Sequence, residues 1–136
     1  MENNSNFKIL AKEWFEKGNH DLDEAKLSFE HAGWTDIICF HCQQVAEKYL
    51  KGFLVSRGIN IGKLKKWQIH ELPNLWTECH KLDRDFESIE EECIVLNGYY
   101  IESRYPLVEP KVYSKKEAKQ AIEAAERIVT FITNLI

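Results

Sequence analysis

The sequence predicts an all-α fold, an antiparallel up-and-down helical bundle of four long helices plus one short helix, on three observations. Glycine and proline are scarce, 6 and 3 residues in 136, so few turns are encoded and long elements are favoured over many short strands. Apolar residues recur at spacings of three and four through most of the chain, and no stretch carries a strand pattern or an internal repeat. The breaks between these periodic runs are short, which makes successive helices antiparallel neighbours. A length of 136 residues with 44% hydrophobic and 29% charged residues fits one globular domain over residues 1–136, large enough to bury a core.

The first helix is expected from about Phe7 to Phe29, where Phe7, Leu10, Trp14, Leu22, Ala25 and Phe29 fall at helical spacing, with Gly18 as a soft spot and Gly33 as the stop. The second runs from Thr35, a plausible N-cap, to Arg57, and Gly58 ends it. Its Cys39, Cys42, Ala46, Tyr49, Leu50 and Phe53 cover one side. A loop from Gly58 to Gln68 leads to the short helix near Glu71–Leu82, with Pro73 tolerated in the first turn. The fourth helix is expected from Ser88, which can form a capping box with Glu91, to about Arg104, because Pro106 disfavours α geometry at Tyr105. A connection with two prolines follows. The last helix opens at Ser114, paired with Glu117, and carries a long stripe from Ala118 to Leu135.

The start of the chain, MENNSNFK, has no basic region followed by an apolar core, and no apolar run approaches a membrane span. A cytoplasmic protein with no membrane contact and four reduced cysteines is expected. Cys39, Cys42, Cys79 and Cys93 all fall at core spacing. Buried thiols account for them better than a zinc site or a redox pair, and no cofactor or metal is expected. The net charge of −4 argues against a general nucleic-acid coat. Its distribution is uneven: no acidic residue stands between Lys48 and His70, whereas Lys48, Lys51, Arg57, Lys63, Lys65 and Lys66 are all basic.

Part of that basic sector is ordered by helical geometry. His41, Gln44, Lys48 and Lys51 are spaced three, four and three apart, so they form one line along the second helix, bordering its apolar side. Gln43 and Glu47 form a second polar row, farther round. Two ammonium groups, an imidazole and an amide on one line suit a phosphate or nucleotide, and Glu47 can orient a lysine or accept from a sugar hydroxyl. The same spacing is equally satisfied by solvated lysines and by side chains bonded to a neighbouring helix. Lys63, Lys65, Lys66 and Trp67 combine charge with an aromatic face that can stack a base, or form a surface loop whose tryptophan packs back on the bundle.

The segment FHCQQVAEKYLKGFLVSRG resembles the central signature of HEPN domains. The run Ile69–Leu72 resembles the family's His-acidic-Leu approach to its third helix, and Tyr100 with Ser103, Arg104, Tyr105 and Pro106 resembles the end of its fourth. AKEWFEKGNHDLDEAKLSFE resembles its first helix. The resemblance implies a four- or five-helix bundle that commonly forms a homodimer. It implies either the substrate-binding partner of a separate nucleotidyltransferase, as in toxin–antitoxin-like pairs, or a metal-independent ribonuclease.

The ribonucleases of the family use an arginine followed four to six residues later by a histidine. Arg104 is in the right place, but Tyr105 to Pro110 contain no histidine, and neither Arg57 nor Arg84 has one at that interval. Arg104 also suits a plain role as a cation at a helix C-terminus. A nucleotide- or RNA-binding module is therefore the leading expectation, with Lys48, Lys51 and Arg104 on phosphate and His41, Gln44 and Tyr100 giving orientation. A ribonuclease with an altered site around Arg104, and a structural or neutralising subunit without a ligand, are the alternatives. No nucleotidyltransferase signature is present, so any nucleotidyl transfer requires another protein.

Overall fold

The computed structural model of the protein describes residues 4–65, 71–99 and 112–136. Its helices are α1 (Asn4–Glu30), α2 (Thr35–Ser56), α3 (Leu72–Leu82), α4 (Glu90–Asn97) and α5 (Lys115–Leu135), with 3₁₀ turns at Ile61–Lys63 and Arg84–Ile89. No strand occurs among the described residues, and the expected all-α bundle is what the chain forms. α2 is the central element and packs against α1, α3, α4 and α5. One continuous core joins Leu50 and Phe53 of α2 to Leu75 of α3, Phe86, Leu96 of α4, and Ile128 and Ile132 of α5.

α1 and α2 form an antiparallel hairpin. At its turn Gly33 N–H donates to Ser28 O (2.6 Å) and Ala32 N–H to Phe29 O (3.3 Å), the paired bonds of a Schellman ending. The left-handed residue of this ending is Ala32 (φ 55°), one position before the glycine expected to stop the helix. α2 ends in the same way, with Ile59 N–H on Leu54 O and Gly58 at φ 81°, so Gly58 is the stop that the sequence marks. Gly18 is not a soft spot. It is a point of close approach, where a Cβ would meet the Tyr49 ring at 2.8 Å. Gly52 is its counterpart on α2, with the Phe15 ring 2.4 Å from a notional Cβ. Phe15 and Tyr49 pack between these two glycines, with ring centroids 4.9 Å apart.

Three helix starts differ from expectation or extend it. Thr35 is the first residue of α2 and does not cap it; its hydroxyl donates to Tyr113 O (2.7 Å), tying the start of α2 to the approach of α5. Ser88 does not cap α4 either. The acid that caps this region is Asp83, whose Oδ1 accepts from Asp85 N–H (2.9 Å) and opens a 3₁₀ turn through Ile89. α4 spans 8 residues and ends at Asn97, ahead of Gly98, so it is shorter than the predicted fourth helix. The predicted continuation through Arg104 lies outside the described residues. α3 begins at Leu72 with proline in its first turn, as expected, and its leading Leu72 N–H is capped from another helix by Asn97 Oδ1 (2.9 Å). The Ser114 cap of α5 forms as read from the sequence, accepting from Glu117 N–H at 3.0 Å.

Candidate functional site

The hairpin determines what the polar line on α2 faces. Because α1 returns alongside α2 after a short turn, the middle of α1 lies against the middle of α2, and Asp21 comes to rest beside His41 and Lys48. His41 Nδ1–H donates to Asp21 Oδ1 (2.9 Å), and Lys48 Nζ donates to Asp21 Oδ2. The side chains are 27%, 24% and 13% exposed for His41, Lys48 and Asp21. Burial by itself would push the Asp21 carboxyl up. The hydrogen bonds from His41 and Lys48, reinforced by charge attraction, outweigh it and hold the group below its ordinary value.

One turn farther on, Lys51 Nζ donates to Glu47 Oε2 (3.2 Å) and sits 5.5 Å from the centre of the Trp14 ring, which adds a cation–π contact. Lys51 and Glu47 are as enclosed as Asp21, at 13% and 14% exposed. Gln44 Nε2 donates to Gln43 Oε1 (2.6 Å). Gln43 was expected on a row farther round than the first; it is instead completely buried, and its Nε2 has no partner among the described residues. The four predicted residues His41, Gln44, Lys48 and Lys51 therefore do share one half-buried strip. Tyr100 and Arg104, the other two predicted contacts, lie outside the described residues, as do Lys66, Trp67 and His70. The flanks of the Tyr100–Arg104 stretch are placed: Tyr99 and Tyr113 pack edge to face with ring centroids 5.0 Å apart, and Tyr99 OH donates to Glu117 Oε2 (2.9 Å).

A match to the HEPN domain covers residues 11–135, from the first turns of α1 to the end of α5. The chain belongs to the HEPN domain family. Among solved structures, it is similar to a crystal structure described as an archaeal HEPN homologue, at 25% identity and a TM-score of 0.69, with 92% of this chain and 96% of that chain covered. No curated protein matches the sequence.

Within this HEPN bundle the strip and the Glu47 partner of a lysine were read from the sequence, and Asp21 was not. Asp21 and Glu47 make the site a compensated network: each lysine has its own carboxylate, and the imidazole shares one. The signal for Asp21 was available, because a turn centred on residues 31–34 brings it opposite the His41–Lys48 stretch. The cysteines are all free and buried, as the core spacing indicated. Burial pushes the Cys39 and Cys93 thiols up to about 12 and raises Cys42 and Cys79 as well, so none supplies a thiolate near neutral pH. Among the described residues no helix is long and apolar enough to cross a membrane.

Proposed function

We propose that this HEPN-family chain is a nucleotide- or nucleic-acid-binding module that presents its ligand to a separate minimal nucleotidyltransferase, in an arrangement of the toxin–antitoxin type, and that it works as a homodimer in the cytoplasm. The observation that carries the reading is the strip on α2. Lys48 and Lys51 are held half-buried by Asp21, Glu47 and Trp14, so their ammonium groups are oriented before a ligand arrives. Lys51, packed on the Trp14 ring, has little side-chain freedom left to lose when it meets a phosphate, and Lys48 reaches the ligand by exchanging its carboxylate partner for it. Gln44 and His41 lie on the same strip and supply the directional bonds. Tyr100 and Arg104 join the site in this proposal, Arg104 as a further phosphate contact.

Calorimetry with ATP, GTP and a short single-stranded RNA at low salt tests the proposal. Binding that weakens with added salt and is lost in Lys48→Ala is the expected result. No heat with any of the three would remove the reading.

One observation favours a second reading. The Asp21 carboxylate fixes His41 through Nδ1, which leaves Nε2 as the nitrogen that can take or give a proton. A metal-independent ribonuclease with a site around Arg104 and His41 would use that geometry. Incubating the chain with RNA in EDTA separates the two: cleavage abolished by both His41→Ala and Arg104→Ala would put the enzyme ahead of the binding module.

A further inference from the structure

His41 and Lys48 stand two helical turns apart on α2, yet both close on a single carboxylate, one on each oxygen. The carboxylate comes from α1, on the other side of the strip. It is held the way two oxygens of a phosphate are held by a pair of cationic or N–H donors, with one central atom and two acceptor oxygens. On the same row of α2, Gln44 stands between His41 and Lys48 and Lys51 follows one turn on, bonded to Gln43 and Glu47 respectively. We propose that Asp21 occupies the phosphate position of this site, and that a ligand phosphate binds by displacing the Asp21 carboxylate from Lys48 and His41. The proposal rests on the ligand-binding reading above and adds a built-in competitor to it.

Charge decides the direction of the exchange. A carboxylate brings one negative charge, whereas a phosphate monoester or a terminal nucleotide phosphate brings close to two at neutral pH, with three acceptor oxygens. The ligand therefore offers Lys48 more than the residue it replaces. The displaced carboxylate has somewhere to go. Asp21 lies at the solvent border of α1, where its neighbours His20, Asp23 and Glu24 are all exposed, so a change of rotamer brings its charge to water. While it remains in place, Asp21 lowers affinity in two ways: it occupies the donors, and it repels the incoming anion. The empty site stays neutralised and does not collect stray anions.

The test compares affinities on the full chain for two probes, ATP and inorganic phosphate, at low salt. Asp21→Asn keeps the shape and removes the charge. It should bind ATP about tenfold more tightly than the wild type, the size expected when one like charge is taken from a partly screened site. Inorganic phosphate should follow the same order. Adding Lys48→Ala to Asp21→Asn should erase the gain. If Asp21 only positions His41 and Lys48, Asp21→Asn binds equally or more weakly; that result overturns the proposal and leaves the ligand-binding reading standing. If neither the wild type nor Asp21→Asn binds either probe, both fall.

A measurement on the wild type guards against a variant that fails to fold. At pH 7 the Asp21 carboxyl carbon, followed by NMR, should shift on saturation with ATP towards the value of a solvated aspartate carboxylate. A resonance unmoved by bound ATP overturns the proposal.

Discussion

At the scale of single residues, two positions carry consequences that can be measured. Ala32 sits at φ 55° in the Schellman ending of α1, a left-handed conformation that costs a residue with a Cβ about 1 kcal/mol or more. Ala32→Gly should therefore raise stability by about 1 kcal/mol, seen as a higher urea midpoint with an unchanged slope; a midpoint at or below that of the wild type would contradict the assignment. Asp21 carries a pH dependence whose sign follows from its lowered pKa. The ordinary value is 3.8, and the folded value lies below it. Above about pH 5 both states are ionised, and the folded state keeps the full benefit of the His41 and Lys48 bonds. As pH falls past 3.8 the unfolded chain takes up a proton first, and the benefit drains away until the folded carboxyl is protonated too. Asp21→Asn should be destabilised by about 2 kcal/mol at pH 7, and its difference from the wild type should shrink in unfolding curves run near pH 3. His41, Gln44, Lys48 and Lys51 were legible as one line because helical spacing is a local property. Asp21 was not singled out, although the short turn at residues 31–34 sets it opposite the strip, because a pairing between two helices is not contained in the spacing of either one.

At the scale of elements, the hairpin of α1 and α2 is held by shape as much as by charge. Gly52 leaves room for the Phe15 ring, which is also packed on Tyr49. Gly52→Ala should push that ring off its place and cost roughly 1–3 kcal/mol, the usual penalty for overpacking a tight interface. Thermal unfolding would show it, and a neutral result would mean that the ring has free space to move into. Helix boundaries separate what sequence reveals from what it does not. Ser114 was legible as a cap because its partner, Glu117 N–H, is three residues away on the same helix. Thr35 and Ser88 were misread for a common reason: a hydroxyl at the right position caps a helix only if no better partner is near. Thr35 finds the Tyr113 carbonyl, and Ser88 falls inside a turn that Asp83 has already opened. α3 shows the converse, with its cap supplied across space by Asn97. Asn97→Ala removes that acceptor and should cost about 1 kcal/mol, with hydrogen exchange in the first turn of α3 accelerating before the rest of the core.

At the scale of the whole molecule, charge along the chain and charge in space diverge. The acid-free run from Lys48 to His70 makes the sequence look locally basic, as though a cationic surface awaited a polyanion. Folding brings acids from elsewhere: Asp21 reaches Lys48, and Asp83 comes within 3.7 Å of Arg57, while Glu47 on the same helix takes Lys51. The remaining field is that of a chain with a net charge of −4. Polyelectrolyte binding depends on how many condensed cations a protein displaces from the nucleic acid, roughly one for each phosphate it neutralises. Lys48, Lys51 and Arg57, already paired, displace few. The affinity for single-stranded RNA, plotted as its logarithm against the logarithm of salt concentration, should therefore have a slope of about −1 to −2, far from the values near −10 of proteins that coat the backbone. Asp21→Asn should steepen the slope by close to one unit, because Lys48 would then reach a phosphate without first giving up a carboxylate. A steep slope in the wild type would mean that the ion pairs on α2 open freely in solution, and that the basic run of the sequence is a better guide to its surface than the folded charge pattern.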